Sequence, residues 1–206
     1  MPTYKLTYFN SRGLGEVSRQ LFHLAGKPFE DVRIEKEEWA DFKSKTPFGY
    51  LPFLEVDGKA LPQSFAIARY LAKEFSYAGK TAFEAAWVDA IGDQFKDYTA
   101  EMKPYFMVAA GYGEGDKDKL QKEIAEPACD KFYAIIEKKL KESGSGYIVG
   151  SGLTWVDLVI ADHVHTFTKL LPGFLDKFPG VIAHKKKIQS EPKLKDWIQK
   201  RPVTEY

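Results

Sequence analysis

Between Tyr4 and Phe9 strong β-formers alternate with polar residues, and Asn10-Ser11-Arg12-Gly13 breaks the run, which predicts a first strand. The period then changes. Val17, Leu21 and Leu24 fall at helical spacing between Gly15 and Leu24, with Gly26 and Pro28 as the stop signal. Glu30 to Ile34 reads as a second strand, and Glu37 to Lys45 as a short polar helix ending before Thr46-Pro47. Leu51 to Val56 is the next strand, Asp57-Gly58 a two-residue hairpin turn, and Lys59 to Leu61 the returning strand. Ser64 to Phe75 closes the unit as a helix that buries Ile67, Tyr70 and Leu71.

This order, βαβ, a short helix, then ββα, predicts an α/β thioredoxin-like N-terminal domain over residues 2–79. Past Ser76-Tyr77-Ala78-Gly79 no strand pattern returns. Helical periodicity covers Phe83 to Gly111, Leu120 to Glu142, Thr154 to Leu171, Pro179 to Ser190 and Lys193 to Lys200, so residues 81–206 are expected to form an all-α C-terminal helical domain. The segment Leu153-Thr154-Trp155-Val156-Asp157-Leu158 carries a helix start. Thr154 can cap it, Asp157 can reach back to the cap, and Leu153 can pack on Leu158.

Composition narrows the partners. Lys plus Arg number 30 against 29 Asp plus Glu, for a net charge of +1, so no field that draws in nucleic acid or an anionic membrane is expected. The eleven Tyr and fifteen Phe suit a ligand-lined cavity as well as a core. Cys129 is the single cysteine, which rules out an intrachain disulfide and fits a reducing, cytoplasmic setting. No signal-peptide h-region opens the sequence, and no stretch approaches the roughly 18 apolar residues of a membrane span.

Four places can carry chemistry. Pro52 opens a strand, and if its bond to Leu51 is cis, the backbone of Leu51 is left free to pair with an extended peptide. Gln63-Ser64 stands where a strand gives way to a helix, whose unpaired N–H groups attract carboxylates; a plain serine cap is the simpler use. Trp39 and Lys43, four apart on the short helix, share a face that could hold another carboxylate. Tyr8 ends the first strand beside a glycine-containing loop, where its O–H could donate to a thiolate and lower the thiol pKa. Taken singly, each of the last two reads more simply as packing or surface. His163 and His165 point to different sides of a helix and complete no zinc-like set, Cys129 reads as a buried small hydrophobe, and Lys185-Lys186-Lys187 as a solvated face.

Together, YKLTYFN-x-RG at 4–13, the Trp39 and Lys43 pair, PFG-x-LPFLEVDG at 47–58, PQS-x-AI-x-RYLA at 62–72 and LTWVD at 153–157 resemble the sigma-type cytosolic glutathione transferases. The similarity runs from Tyr4 to the closing RPVTEY and is greatest to nematode members, sometimes set apart as the nu class.

The resemblance implies a transferase that joins the thiol of reduced glutathione to hydrophobic electrophiles, with glutathione as co-substrate, no permanently bound cofactor, no metal, and a homodimeric state. Tyr8 would hold the sulfur. Trp39 and Lys43 would bind the glycyl carboxylate, Leu51 ahead of Pro52 the cysteinyl backbone, and Gln63 with Ser64 the γ-glutamyl end. Gly49 and Tyr50 would complete the wall, although many relatives carry glutamine or lysine where Tyr50 stands. Asp97 would reach across the dimer to the other subunit's glutathione. It belongs to an acidic ladder, Asp89, Asp93, Asp97 and Glu101, for which Arg69 of the partner subunit is an expected counter-ion. Phe9, Arg12, Leu14, Met102 and Tyr105 would line the electrophile cleft.

Two alternatives accompany this reading. Relatives in blood-feeding nematodes suggest a carrier of haem or other apolar ligands. The vertebrate haematopoietic prostaglandin D synthase, of the same class, suggests prostaglandin isomerisation, which Lys96 between Asp93 and Asp97 and the lack of a tryptophan in Met102-Lys103-Pro104-Tyr105-Phe106 argue against.

Overall fold

The computed structural model describes residues 2–150 and 152–204; Glu205 and Tyr206, the end of the RPVTEY segment, lie outside them. β1 (Tyr4–Phe9) runs beside β2 (Glu30–Ile34) in parallel and beside β3 (Phe53–Val56) antiparallel, and β4 (Lys59–Pro62) returns along β3, giving the order β2-β1-β3-β4. The parallel pair sets Tyr8 opposite Arg33, and the antiparallel pair sets Thr7 opposite Phe53. A parallel neighbour requires a crossover, which α1 (Glu16–Ala25) supplies, while Asp57-Gly58 makes the tight turn between β3 and β4. Leu6 and Leu54, both fully buried, meet Leu21 and Phe22 of α1 and Ile67 and Leu71 of α3 (Ser64–Glu74) in one apolar cluster.

Two boundaries differ from expectation. The third strand starts at Phe53 instead of Leu51, because Pro52 has no N–H for the ladder, whose last pair is Phe53 opposite Pro62. The short polar helix breaks into a 3-10 turn at Lys36–Glu38, α2 (Trp39–Phe42) and a second 3-10 turn at Lys43–Lys45. None of these pieces buries a residue, so no packing face enforces a single α register.

The rest of the described chain is helical. α4 (Ala82–Ala109) starts at Thr81, whose hydroxyl accepts from Glu84 N, and buries Val88, Ile91, Phe95, Tyr98, Met102 and Tyr105 along one stripe. α5 (Lys117–Leu120) and α6 (Glu126–Ser143) are joined by a π turn over Gln121–Ala125, in which Glu126 N–H reaches Gln121 O just before Pro127, a residue with no N–H of its own. α7 (Trp155–Leu170), α8 (Pro179–Ser190) and α9 (Pro192–Lys200) complete the bundle. Trp155, fully buried, meets Phe65 of α3 edge-on and leaves no room for a side chain at Gly92, where a Cβ would come within 2.2 Å of the indole.

Asp157 starts α7 and does more than cap it. Its Oδ2 accepts from Thr154 N at 2.8 Å and Thr154 Oγ1 at 2.7 Å, while Oδ1 accepts from Ile148 N at 2.9 Å and pairs with His184 Nε2 at 2.9 Å. One buried carboxylate thus ties the preceding loop and α8 to the first turn of α7.

α1 is the seam between the sheet and the bundle. It packs on α7 and α9, His23 stacks on Trp197 with centroids 4.1 Å apart, and Lys193 Nζ donates to Leu24 O at 2.9 Å.

Candidate functional site

The carboxyl end of β1 runs into Asn10-Ser11-Arg12 and a 3-10 turn at Gly13–Gly15, which folds back over Tyr8. Leu14 N–H donates to Tyr8 Oη at 3.1 Å. The turn lies so close to the ring that a Cβ on Gly13 would come within 2.7 Å of Tyr8 Oη, and one on Gly15 within 2.7 Å of Tyr8 Cδ1. Both positions therefore need glycine for space, and Gly13, with φ +33, for its backbone as well.

Burial raises the Tyr8 phenol pKa above its ordinary value, against the opposing pull of the Leu14 N–H, Arg19 and the Ser11 hydroxyl. Tyr8 is 8% exposed. It therefore remains a phenol at neutral pH, its oxygen already taking one donor and its own proton available to an acceptor. Phe9 meets Tyr8 edge-on with ring centroids 5.6 Å apart and Trp39 at 5.3 Å, linking β1 to α2 through aromatic contacts.

Leu14, whose N–H rests on the Tyr8 oxygen, also lines a concavity with Phe48, Tyr50, Leu51, Pro52, Pro62, Gln63 and Ser64. The Leu51-Pro52 bond is cis, and Leu51 lies beyond the end of the β3–β4 ladder, where it lines this space. Gln63 precedes α3 with φ 77 and ψ 113, a conformation disfavoured for a side-chain-bearing residue, and so turns the chain sharply into the helix. The first turn of α3 contains no acidic residue to occupy its free N–H groups. Lys43 extends along the same wall, its Cε 3.7 Å from where a Cβ on Gly49 would stand.

Five of the residues expected to meet glutathione line the concavity, Leu51, Pro52, Gln63, Ser64 and Tyr50, while Gly49 precedes Tyr50 in the chain and has Lys43 beside it. Trp39 joins them by way of Phe9. Asp97 stands apart, exposed on α4 and outside this lining.

The electrophile residues divide. Phe9, half-buried, lies between the rings of Tyr8 and Trp39, while Leu14, 53% exposed, lines the concavity. Met102 and Tyr105 do not line it: they are 3% and 0% exposed, the thioether 3.9 Å from Cys129 Sγ and the phenol donating to Leu170 O at 3.2 Å. Both belong to the buried stripe of α4. Arg12 is likewise enclosed, 3% exposed, with Nη1 2.8 Å from Asp162 Oδ1 and Nη2 donating to Thr166 Oγ1 at 2.9 Å.

Arg69 is a further correction. Its guanidinium pairs within the chain, Nε to Asp89 Oδ1 at 3.0 Å and Nη2 to Asp93 Oδ1 at 2.5 Å, so it is committed to its own acidic ladder. Glu101 at the ladder's end pairs with Lys131. Among the described residues no group of three or more His, Cys, Asp or Glu side chains is arranged to hold a metal ion. No helix among them is long and apolar enough to cross a membrane.

Three contributors were missed in the sequence. Gly13 was read only as a turn residue and Gly15 only as the start of the helix, although their spacing beside a strand-end tyrosine signals close approach. Tyr112, inside a glycine-rich break, is half exposed and lies near enough to Tyr8 to act on its charge, with Lys36 Nζ 5.3 Å from its ring centroid.

Comparison with known proteins bears on this geometry. The N-terminal domain model of glutathione S-transferases matches residues 4–73 and the C-terminal domain model residues 100–201. The chain is 52% identical over 204 residues, 99% of both chains, to probable glutathione S-transferase 9 of Caenorhabditis elegans. A solved nu-class transferase from Haemonchus contortus matches over 100% of both chains with 53% identity and a TM-score of 0.92. Monomeric Na-GST-3 from the hookworm Necator americanus matches over 99% of this chain and 100% of its own, with 50% identity and a TM-score of 0.95. Prostaglandin synthase D of Nilaparvata lugens is 37% identical over 98% of this chain and 100% of its own, with a TM-score of 0.88.

Proposed function

The chain belongs to the glutathione S-transferase family and is a glutathione transferase, and on that premise we propose that Tyr8 is the residue that holds the co-substrate's sulfur as a thiolate. The observation that carries the proposal is the Tyr8 phenol itself: kept protonated by burial, given a donor on its oxygen by Leu14, and joined through Leu14 to the concavity of Leu51, Pro52, Gln63 and Ser64.

In this reading glutathione lies extended along Leu51, its cysteinyl N–H and C=O pairing with that residue's free backbone. The γ-glutamyl carboxylate meets the head of α3 at Gln63 and Ser64, where N–H groups and the positive end of the helix dipole converge. Lys43, with the Trp39 indole N–H, takes the glycyl carboxylate, and Gly49 and Tyr50 flank it. The O–H of Tyr8 donates to the sulfur, and the bound thiol gives up its proton to solvent at lower pH than free thiol does. The thiolate then forms a bond to an electrophilic carbon, and either a leaving group departs with the electron pair or a conjugated carbonyl takes it up. Phe9, Leu14 and Tyr112 are the walls that would receive the electrophile's apolar part.

The reading extends to assembly and setting. We propose a cytoplasmic homodimer of the sigma type, nearest its nu branch, in which residues 2–79 bind glutathione and residues 81–206 supply helical and subunit contacts. Asp97, exposed and outside every ion pair of its own ladder, is offered to the other subunit's γ-glutamyl amine. Phe48, 62% exposed at the concavity, offers the subunit contact an apolar anchor. Sedimentation that returns only monomer at micromolar concentration would sink this part without touching the role of Tyr8.

Tyr8→Phe tests the central claim. A hydrogen bond to a charged group contributes about 1.5–3 kcal/mol, so kcat with a chromogenic aryl halide should fall roughly 10- to 150-fold while glutathione affinity stays close to wild type. Equal kcat in the two proteins would refute it.

A further inference from the structure

Arg12 leaves the loop after β1 and crosses to the helical part of the molecule. There it bonds Asp162 and Thr166, which share one face of α7. Its main-chain oxygen meanwhile accepts from Gly15 N at 3.2 Å and Glu16 N at 2.9 Å, closing the turn that carries Leu14. Leu14 N–H in turn rests on Tyr8 Oη.

The other side of the turn is gripped as well. Glu16 is fully buried, and its Oε1 accepts from Arg201 Nη1 at 2.5 Å and from Trp197 Nε1 at 2.9 Å. Arg201 Nη1 also lies 3.6 Å from Asp162 Oδ1. A single carboxylate on α7 thus faces both arginines that hold the turn, one on each side of Leu14.

We propose that Asp162 is a positioning residue for the transferase reaction: through Arg12 it fixes the N–H of Leu14 on the Tyr8 oxygen, and so sets how strongly the Tyr8 O–H holds the sulfur anion. The inference rests on the role given to Tyr8 above. Its physical basis is that a donor on a phenol oxygen polarises the phenol's own O–H, so the two hydrogen bonds strengthen each other. Asp162 never meets glutathione; its influence passes through three bonds: carboxylate to guanidinium, turn to Leu14, and Leu14 to the phenol. The Arg12–Asp162 pair is shielded, with side chains 4% and 13% exposed, so solvent screens it less than a surface pair.

Two full-chain variants test this. Asp162→Asn removes the charge that holds Arg12, and Thr166→Val removes its uncharged second anchor while keeping the shape of the residue. The readout is the ultraviolet absorbance of the glutathione thiolate in the enzyme complex, followed against pH. Asp162→Asn is expected to raise the bound thiol's pKa by about half a unit or more, a threefold fall in the ionisation constant, with a smaller rise in Thr166→Val. Glutathione affinity should stay near wild type, and kcat/KM should fall at about pH 6.5 and recover once pH exceeds the shifted value. A purely structural ion pair would lower the melting temperature and leave that titration where it was.

An unmoved thiol pKa in both folded variants overturns the inference, whatever the melting temperatures do. Tyr8→Phe in the same titration separates the two claims. If it too leaves the thiol unmoved, the role of Tyr8 fails; if it raises the thiol pKa and the Asp162 and Thr166 variants do not, only the role of Asp162 fails. Should Asp162→Asn not fold, Thr166→Val carries the decision alone.

Discussion

Replacing Asp157 by Ala removes two acceptor oxygens that serve four donors in a fully buried site. The Thr154 hydroxyl can rotate toward another acceptor, but the N–H groups of Ile148 and Thr154 cannot move without moving backbone. Each buried donor left without a partner costs about 1–3 kcal/mol, so these two alone set a loss of roughly 2–6 kcal/mol, before the His184 contact is counted. We expect about 4 kcal/mol, well above the ~1 kcal/mol typical of a lost helix cap and a large part of the 5–15 kcal/mol that holds a typical fold. For a chain of this size the melting temperature should drop by about 8–16 °C. Asp157→Asn keeps one acceptor oxygen and should lose about half as much. The assay is urea unfolding at fixed protein concentration, read as a shift in midpoint with unchanged slope, alongside thermal melts. Asp157 touches nothing in the cleft, so kcat per folded molecule in the cold should match wild type. A destabilisation of Asp157→Ala below about 1 kcal/mol would show that water or a repacked loop replaces the carboxylate, and that the count of donors is the wrong basis.

The remaining expectations concern the phenol, the thiol and a buried imidazole. Gly15→Ala drives a methyl into the Tyr8 ring and should cut kcat by more than about tenfold, the consequence of even a ~1.4 kcal/mol misplacement of the donor; wild-type kcat in that variant would show the turn yields freely. Burial pushes the Cys129 thiol up to about 12, so the folded chain should resist a disulfide reagent at mildly alkaline pH and react once in denaturant; rapid labelling of the native chain contradicts this. Burial also lowers the His163 pKa to about 4, with Tyr98 Oη at 3.1 Å and the rings of Phe95 and Phe167 around it. Because the folded value lies below the unfolded one of about 6.5, its stabilising effect is complete above that pH and is lost as pH falls toward 4. His163→Gln should flatten this acid-side decline in the unfolding midpoint, and an unaltered decline would count against His163 as its source.

Much of the sheet and its attachments was legible because short-range chemistry determines them. Tyr4–Phe9 and Glu30–Ile34 form as the alternation and turn residues foretell, and Asp57-Gly58 makes its hairpin. Leu51-Pro52 is cis, and the residues expected to meet glutathione around it fall together since each belongs to a β end or a helix start. The errors come from ranking proximity in a motif above periodicity. Val88, Ile91, Phe95, Tyr98, Met102 and Tyr105 follow a strict three-four alternation, which assigns the last two to the core as firmly as the first four, yet an aromatic near the cleft end of α4 invited the opposite reading. Arg69 was assigned to a partner because sequence separation hides that α3 and α4 bring it beside Asp89 and Asp93. Nothing local in the sequence announces that Arg12, four residues past Tyr8, spends its charge on Asp162, 150 positions away. Such pairings are products of tertiary packing, visible only once α1 is known to lie against α7.

The burial of Glu16 has a consequence for how the protein is made. On a growing chain the sheet and α1 emerge early, but Arg201, which completes the pairing of that carboxylate, is joined 185 residues later. Until then Glu16 has only Arg19 and Gln20 of its own helix beside it, and a carboxylate short of partners is costly to enclose. The head of α1 and the turn over Tyr8 therefore close fully only against Trp197 and Arg201, so a chain cut short ahead of α9 would lack two of the donors that Glu16 has in the folded protein.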